Sequence, residues 1–331
     1  MAFRLKLVPD NTKIDFFRWQ WLTTGISGLA MVASVIILMI NGLNFGIDFR
    51  GGTTIRAESS TEFSVAEYRD ALSRLDLADV SITEVFDPSF GPDRHVAQIR
   101  IGATEDTGSV TPEQLNMIEA ALQEVDPNVT FASVESVGPK VSDELIKTAL
   151  YAVGAATLGI LFYIWLRFEW QLAVGAVVAL VHDVLITIGI FSLFQFRFDL
   201  TTIAALLTTL GYGVNDTVVV FDRLRENLIK FKTMALVDVM NLTVNETLSR
   251  TVMTATTTAL AIGALLIWGG DVIRGFVFAM FLGVFIGAYS TVYLAKSVVL
   301  WLGVRRDWGK PEKTAKAERD ELAGTPFQDT P

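Results

Sequence analysis

The feature that most constrains this chain is a set of six apolar stretches, each of which, with its edges placed to within several residues, qualifies as a membrane span. About 20 helical residues are needed to span roughly 30 Å of hydrocarbon. Hydrophobic residues make up 51% of the chain and charged residues 19%, below the roughly 25% of an average soluble domain. We therefore predict a polytopic α-helical membrane protein with six transmembrane helices. The stretches cover residues 21–40, 150–165, 170–194, 200–221, 252–268 and 276–301.

The distribution of lysine and arginine among the connecting segments indicates the orientation of these spans. Positive charges accumulate in the cytoplasmic segments of membrane proteins. Here they are concentrated before the first span, after the fourth and after the sixth, whereas the short segments on the other side hold only Arg197 and Arg274. We therefore expect both termini to be cytoplasmic.

The expected domain organisation follows from the spans and their orientation. The order is a cytoplasmic N-terminus at 1–20, a first transmembrane helix at 21–41, an external domain at 42–146, five further transmembrane helices within 147–302 with a cytoplasmic loop at 223–249, and a disordered cytoplasmic tail at 303–331.

The segment between the first two spans has the pattern of a folded acidic domain. Residues 42–147 contain 19 acidic and 8 basic side chains, which argues against nucleic acid as a partner. Strand patterns at 53–58, 80–86, 95–101 and 130–137 alternate with helix patterns at 64–75 and 111–125, and a turn is expected at 87–93. Ser64 and Glu67 have the spacing of a capping box. We predict an α+β ferredoxin-like (βαββαβ) domain, a fold that hosts many unrelated functions.

Ionisable and amide side chains inside the predicted spans are the candidate functional residues. A charge at membrane depth costs at least about 2.5–3.5 kcal/mol on insertion scales, so each needs a physical reason. His182 and Asp183 lie near the middle of the third span. Asn215 and Asp216 lie in the fourth span, about two helical turns before its cytoplasmic end.

Three further charges lie at the predicted ends of the fourth and fifth spans. We expect Asp222 and Arg223 to form an interfacial pair with each other. Arg250 opens the fifth span, where topology alone already accounts for an arginine. If Arg250 lies against Asp216, the carboxyl is held between a cation, which favours its charged form, and burial, which favours its neutral form. Such a group can bind and release a proton.

Helical spacing places small and polar residues on one face of the fourth span and one face of the fifth. Lipid would not solvate such faces, so they fit helices that face each other or that line a water-filled path. Counting back from Asp216, the face of the fourth span contains Gly213, Tyr212, Thr209, Ala205 and Thr202. Counting forward from Arg250, the face of the fifth contains Thr254, Thr257, Thr258 and Ala261.

The sixth span carries a face of small residues. Ala279, Gly283 and Gly287 recur at intervals of four residues. This spacing is typical of close helix packing rather than of ligand binding.

Two interpretations of the intramembrane carboxyls remain open at this point. Asp216 fits the proton-carrying acid of a pump or transporter, and the alternative is a structural hydrogen-bond partner for a neighbouring helix. For Asp183 with His182, a polar helix–helix contact explains the pair equally well.

Several kinds of chemistry are excluded by motifs that the sequence lacks. There is no cysteine, no Gly-x-x-x-x-Gly-Lys-Ser/Thr phosphate loop and no His-Glu-x-x-His. Gly211-Tyr212-Gly213 is followed by Val214, not by the aspartate of a Gly-x-Gly-Asp intramembrane protease. His95 has no second ligand nearby, so we expect no metal site. We expect neither enzymatic activity nor a cofactor, and any work must be driven by a partner or an ion gradient.

Four segments carry a resemblance to a known family. The run Leu-Gly-Tyr-Gly-Val-Asn-Asp-Thr-Val-Val-Val-Phe-Asp-Arg-Leu-Arg-Glu-Asn at 210–227 closely resembles the fourth-span signature of the SecF family. Gly-Ile-Asp-Phe-Arg-Gly-Gly-Thr at 46–53 and Val-Gly-Pro-Lys-Val-Ser at 137–142 resemble the segments that begin and end its periplasmic domain. His-Asp-Val at 182–184 resembles its third-span motif. One departure is Gly213, where the family pattern has Ser.

The resemblance implies a fold, a location and partners. SecF is the smaller subunit of the bacterial SecDF protein-export accessory complex, a branch of the resistance-nodulation-division superfamily. It implies half of a pseudo-symmetric unit in the bacterial cytoplasmic (inner) membrane, with the acidic domain in the periplasm. Family members pair with SecD and associate with the SecYEG channel and YajC. They use the proton motive force, with protons as the coupling ion, to complete the translocation of polypeptides across the membrane.

The resemblance also assigns roles to residues. It implies that Asp216 and Arg250 belong to the proton pathway together with an aspartate of SecD, and we place Asn215 beside them. We class as secondary polar groups His182, Asp183, Asp222, Thr254, Thr257 and Thr258. Two other functions stay open, namely an exporter of lipids or small hydrophobic molecules and a scaffold subunit that conducts nothing.

Overall fold

A computed structural model of the chain describes residues 8–9, 12–75, 77–85, 94–103 and 109–304, with the backbone alone at Asp271. Six of the described helices are long and apolar enough to cross a membrane. This confirms the polytopic helical architecture. The candidate spans are Gln20–Asn41, Pro139–Arg167, Trp170–Phe194, Leu200–Lys230, Leu236–Trp268 and Val272–Leu302.

The elements follow one another in an order that places a small α+β domain between the first two spans. The elements up to the second span are α1 (Gln20–Asn41), β1 (Asn44–Phe45), α2 (Ile47–Arg50), β2 (Gly52–Ser59), α3 (Val65–Ser73), β3 (Val80–Val85), β4 (His95–Gly102), α4 (Pro112–Val125), β5 (Thr130–Val137) and α5 (Pro139–Arg167). The remaining elements are α6 (Trp170–Phe194), β6 (Arg197–Phe198), α7 (Leu200–Lys230), α8 (Leu236–Trp268), α9 (Asp271–Tyr289), a π-helical segment (Ser290–Ala295) and α10 (Lys296–Leu302).

The domain has the predicted ferredoxin-like topology. Its sheet has the strand order β3-β4-β2-β5, and every neighbouring pair is antiparallel. One face of the sheet packs on α3 and α4 around a core of fully buried side chains. This core includes Ile55, Tyr68, Leu72, Ile99, Ile118 and Leu122. The turn predicted at 87–93 lies outside the described residues.

The two domain helices begin in different ways. α4 starts from a complete capping box, in which Thr111 Oγ1 accepts from the amide of Gln114 at 3.2 Å and Gln114 Oε1 accepts from the amide of Thr111 at 3.0 Å. The capping box predicted at Ser64 is wrong, because the Ser64 side chain makes no capping hydrogen bond. The start of α3 is held instead by its backbone, with the amide of Tyr68 donating to the carbonyl of Ser64 at 3.1 Å.

Two consecutive glycines let the chain turn into the central strand of the sheet. Gly51 and Gly52 have φ angles of +72° and +123°, which side-chain-bearing residues rarely adopt. A Cβ atom on Gly52 would lie 2.3 Å from the carbonyl oxygen of Ile101. Glycine at position 52 is therefore required for β2 to lie directly beside β4.

The base of the domain is fastened to the beginning of α7. β1 and β6 form a short parallel pair, Asn44 with Arg197 and Phe45 with Phe198. The amide of Leu200, the first residue of α7, donates to Asp48 Oδ2 at 3.0 Å. We call this end of the helical bundle the domain end and the opposite one the far end. A displacement of α7 along its axis would therefore act directly on the domain.

Candidate intramembrane site

The small and polar face of α7 packs against the last span. Thr209 and Gly213 lie opposite Gly283 and Gly287 of α9, and a Cβ atom on Gly287 would lie 3.8 Å from the Cα atom of Gly213. Ala279 continues the contact and is completely buried. The sequence left open whether this face meets the polar face of the fifth span. The last span therefore covers the Thr209–Gly213 part of the α7 face. Tyr212 of the same face packs against both α8 and α9, beside Ala259 and Val284.

Asp216 is buried at the edge of this contact, on the side of α7 that meets α8. Its side chain is 4% exposed, and Oδ2 has no hydrogen-bond partner within the described part of the chain. The carboxyl feels the charge of Arg250 and faces Thr254. The Thr254 hydroxyl donates to the carbonyls of Arg250 at 3.1 Å and of Thr251 at 3.0 Å.

Arg250 approaches Asp216 without closing an ion pair. Within the described chain no salt bridge joins the two side chains, and Arg250 is exposed. The intramembrane carboxyl is therefore buried, near a cation and incompletely hydrogen-bonded. Binding a proton, or forming a hydrogen bond or an ion pair, would therefore stabilise this carboxyl.

A polar face beside this carboxyl has no protein neighbour within the described chain. Asn215, Arg250 and Thr257 are exposed, whereas Thr254 and Thr258 are half-buried. A Cβ atom on Gly211, one turn before Asn215, would meet nothing within 4 Å. Lipid does not solvate polar side chains of this kind. The face formed by α7 and α8 thus has the character of a helix–helix interface with a missing partner.

Asp183 forms a second buried site, in which both carboxylate oxygens have partners. Asp183 and His182 are 5% and 1% exposed. His182 Nδ1 lies 2.9 Å from Asp183 Oδ1, and the Ser290 hydroxyl donates to Asp183 Oδ2 at 2.8 Å. The His182 ring stacks on the ring of Tyr289 with centroids 6.1 Å apart. Unlike Asp216, this carboxyl is satisfied inside the chain.

The π-helical segment of the last span supplies contacts that sequence reasoning missed. Ser290 reaches Asp183, and the hydroxyls of Thr291 and Thr217 lie 2.9 Å apart. The wider turn of a π-helix changes which side chains face a neighbour, and such turns occur frequently at functional sites. The polar run Tyr-Ser-Thr-Val-Tyr-Leu-Ala-Lys-Ser at 289–297, inside an otherwise apolar span, was the available signal.

The expectation that Asp222 pairs with Arg223 is wrong. Asp222 binds Arg167 of α5 at 2.5 Å, whereas Arg223 binds Glu226 at 2.6 Å and Glu246 at 2.7 Å. Adjacent residues on a helix do not face each other, so each side chain meets a different neighbour. Asp222 and Arg167 are both about 40% exposed, and Asp222 belongs to the far-end surface rather than to the intramembrane site.

A cleft of about 560 Å³ separates the domain from the bundle. Arg100 lies in its wall and donates to the carbonyl of Phe45 at 3.0 Å. Burial lowers the pKa of Arg100, and the charges of Arg197 and Arg50 lower it further. The charged lining residues are Asp48, Arg56, Glu84, Arg100, Glu135, Arg197, Asp199 and Arg274. Among the described residues no group of three potential metal ligands occurs here or elsewhere.

Comparison with known proteins places the site within one family. Residues 117–305 match the family described as protein export membrane protein SecD/SecF, C-terminal. Residues 36–62 match the SecD/SecF GG motif. The chain is 65% identical over 317 residues to the protein translocase subunit SecF of Cereibacter sphaeroides, covering 96% of this chain and 97% of that protein. The chain belongs to the SecF family.

More distant SecF proteins and a solved structure agree with this assignment. The protein translocase subunit SecF of Escherichia coli O157:H7 is 37% identical over 309 residues and matches 93% of each chain. The crystal structure of SecDF, a translocon-associated membrane protein from Thermus thermophilus, superimposes with a TM-score of 0.79 at 32% identity. The match covers 89% of this SecF chain but only 39% of that SecDF chain.

The family matches coincide with features derived above from the geometry. The GG-motif region contains Gly51 and Gly52, whose backbone admits no side chain at position 52. The C-terminal SecD/SecF region contains all of α5 to α10 and therefore both buried carboxyl sites.

Proposed function

We propose that this SecF-family chain is a protein-export accessory subunit in which protonation of Asp216 couples the proton motive force to movement of the external domain. The observation that carries the proposal is the state of Asp216, which is buried, close to the charge of Arg250 and left with one oxygen unpartnered. The role is mechanical and not enzymatic, with protons as the coupling ion and without a cofactor.

Protonation of Asp216 would alter how α7 and α8 pack. A charged carboxyl attracts Arg250, whereas a neutral one has no such interaction, so the two states favour different positions of α8. Another face of α7 packs tightly against α9. A change at Asp216 would therefore shift α8 or the missing partner rather than α9. One elementary charge that crosses 100 mV of membrane potential yields about 2.3 kcal/mol, enough to bias such a two-state packing.

The domain would respond because its base is attached to α7. The hydrogen bond from Leu200 to Asp48 and the β1–β6 pair join the first turn of α7 to the segment that leads into the sheet. A shift of α7 would therefore tilt or raise the domain, which would grip or release an emerging polypeptide.

The exposed polar face of α7 and α8 is the surface at which SecD would complete the site. Asn215, Arg250 and Thr257 would face a span of SecD that contributes an aspartate. The match covers only 39% of the solved SecDF chain. The unmatched part of that chain has room for a second half, which SecD would supply in a pseudo-symmetric unit. We extend the proposal to SecYEG and YajC as further partners because the relatives carry the name of translocase subunits.

The proposed location is the bacterial cytoplasmic membrane, with the domain in the periplasm and both termini in the cytoplasm. The contact between Trp21 at the start of α1 and Trp301 at the end of α10, with ring centroids 5.6 Å apart, supports termini on one side. Arg18 before α1 and Lys230 at the end of α7 are among the described basic residues of this end.

The test measures completion of export in inverted membrane vesicles that contain this chain with SecD and the channel. Asp216→Asn should remove the part of translocation that an uncoupling ionophore removes from the wild type. Asp222→Asn is the matched control, because it is the same change six residues along the same helix in an exposed ion pair. A wild-type ionophore-sensitive rate in Asp216→Asn would refute the proposal.

The other two functions are distinguished from this proposal by one variant and by one structural feature. A scaffold subunit should assemble and support export without the charge at position 216. An exporter of lipids or small hydrophobic molecules needs an apolar cleft, whereas the cleft beneath the domain is lined by eight charged side chains.

A further inference from the structure

Lys296 is a buried lysine that the proposed proton pathway does not use. Its side chain is 2% exposed, and Nζ has no hydrogen-bond partner within the described chain. The charged form of a lysine buried in this way is costly, so its surroundings must stabilise it. The charge of Asp15 attracts it. Three aromatic rings also surround it, with Nζ 4.0 Å from the ring centre of Phe17, 4.9 Å from Phe16 and 5.4 Å from Tyr293.

Two of these three rings belong to the segment before the first span. We call residues 12–18 the strap. It crosses α8 in a fixed register. The amide of Ile14 donates to Asn245 Oδ1 at 2.9 Å, and Asn245 Nδ2 donates back to the carbonyl of Ile14 at 2.8 Å. The amide of Phe16 donates to Asn241 Oδ1 at 3.0 Å. Asn241 and Asn245 lie one turn apart on α8, and both bind the backbone of the strap. This repeated contact indicates a specific docking site for the strap.

Asp15 stabilises the bend by which the strap enters α1. Its Oδ1 accepts from Asn241 Nδ2 at 2.9 Å and from the amides of Phe17 and Arg18 at 3.0 and 3.2 Å. These hydrogen bonds, that of Asn241 above all, lower the pKa of Asp15. The strap is thus ordered by its own turn and by α8, and the charge of Lys296 also attracts Asp15.

The strap joins two helices that meet the intramembrane site from different sides. Phe16 is buried in a cluster with Val244 of α8 and Val292 of the π-helical segment. Asn245 lies five residues before Arg250 on α8. On the other side, the π-helical segment connects Ser290, which binds Asp183, to Lys296. A contact that fixes α8 against the last span at this level also fixes the position of Arg250.

We propose that Lys296 binds the strap and keeps it packed on α8. The bound strap is a positioning element that holds α8, and with it Arg250, in place beside α7. The cation–π contacts hold Phe16 and Phe17 over the ammonium, and the asparagine contacts hold the strap backbone on α8. Opening the strap would remove the rings of Phe16 and Phe17 from Lys296, leave only that of Tyr293, and free α8 to move. The positioning of Arg250 rests on the proposed function, whereas the closure of the strap does not.

The test is amide hydrogen exchange of the peptide that covers residues 12–18, in the full chain with its partner in lipid nanodiscs. In the wild type the amides of Ile14 and Phe16 should be protected, because both donate to side chains of α8. Lys296→Met should raise their exchange rate about tenfold, which corresponds to losing cation–π contacts of about 1.4 kcal/mol. Lys296→Arg should restore protection. Lys230→Met is the matched control, because it removes an exposed lysine 5.1 Å from the ring of Phe231.

A second pair of variants lies outside the spans and does not depend on tolerance of a change at position 296. Phe17→Leu removes the nearest ring and should raise strap exchange severalfold, whereas Phe17→Tyr keeps a ring and should not. Exchange within twofold of the wild type in both Lys296→Met and Phe17→Leu would overturn the proposal. In Asp216→Asn the strap should stay protected whatever happens to export, so a failure of the proton-coupling function is distinguished from a failure of the strap.

Export separates a positioning role from a merely structural one. With Asp216 intact, Lys296→Met should lower the ionophore-sensitive export rate, and Lys296→Arg should restore it. Wild-type export in a variant whose strap exchanges freely would show that the strap does not position Arg250.

Discussion

Gly283 of α9 lies directly against Thr209 of α7. A Cβ atom on Gly283 would lie 2.1 Å from Cγ2 of Thr209, 2.7 Å from its Oγ1 and 3.0 Å from its Cβ. The Thr209 side chain is short and β-branched, so it cannot move away as the end of a long chain would. The closest approach of the two helices therefore depends on the absence of a single methyl group.

Gly283→Ala should destabilise the bundle by about 1–3 kcal/mol, because α7 and α9 must separate to make room for the methyl group. The measurement is the thermal unfolding midpoint of the purified chain in detergent. The matched control is Gly287→Ala on the same face, where the nearest heavy atom would be 3.6 Å from the new Cβ, so its midpoint should stay close to the wild type. Adding Thr209→Ala should recover part of the loss, and a midpoint for Gly283→Ala equal to that of Gly287→Ala would contradict this packing.

Gly52→Ala should disrupt the domain while the bundle persists. The left-handed backbone at position 52 costs a residue with a side chain about 1–3 kcal/mol, and the contact with the Ile101 carbonyl adds to this cost. Gly138→Ala provides the control, because a Cβ atom there meets nothing within 4 Å and φ is −76°. Limited proteolysis should cut the domain of the first variant and spare that of the second. Equal resistance of the two would count against the strand geometry.

The buried pair of Tyr68 and Asp126 should make the stability of the domain depend on pH at both extremes. The Tyr68 hydroxyl donates to Asp126 Oδ2 at 3.2 Å, and Thr61 and the amide of Asn128 donate to Oδ1 at 3.0 and 3.1 Å. Burial raises the pKa of Asp126, but these bonds together with one from Ser59 outweigh burial and lower it below its usual 3.8. Burial and the charge of Asp126 raise the pKa of Tyr68 above its usual 10.0.

The sign of each shift defines the window of stability. Because the pKa of Asp126 is lowered on folding, its contribution is complete above about pH 4 and is lost as the pH falls through the lowered value. Because the pKa of Tyr68 is raised on folding, the stability that Tyr68 contributes is lost as the pH rises above about 10. Methyl NMR signals of Ile55 and Ile99 during denaturant titrations of the full chain should report both losses. Asp126→Asn should abolish the loss of stability at low pH. An unchanged acid transition in that variant would refute the role of Asp126 in it.

Asp183→Asn should behave differently from a change at Asp216. Asp183 has both oxygens satisfied by His182 and Ser290, so an amide in its place would turn an N–H group towards a donor and lose about 1–3 kcal/mol. We expect a lower unfolding midpoint with ionophore-sensitive export largely retained. Ser290→Ala should lower the midpoint without altering the charge. Loss of export at an unchanged midpoint would instead make Asp183 part of the coupling.

Much of this architecture was accessible from the sequence because it depends on local rules. The spans follow from hydrocarbon thickness, and the strands and helices of the domain follow from periodicity. Asp216 could be identified as a candidate because a carboxylate inside an apolar membrane helix is costly and needs a specific role.

The features that could not be predicted all depend on which helix lies against which. Thr209 of the α7 face packs on Gly283 of α9, and nothing in the spacing of either residue identifies the other. The partner of Asp222 is Arg167, more than fifty residues earlier in the chain. The polar run at 289–297 marks the π-helical segment as unusual but does not identify its neighbours, so the environment of Lys296 emerges only from the folded strap.

The measurement that tests the central claim most directly is proton flux into proteoliposomes that contain this chain and its SecD partner, followed with an internal pH-sensitive dye under an imposed membrane potential. We expect flux with the wild type and with Asp222→Asn, and none above the protein-free background with Asp216→Asn. Flux at the wild-type rate through Asp216→Asn would contradict the role of this carboxyl as the coupling group.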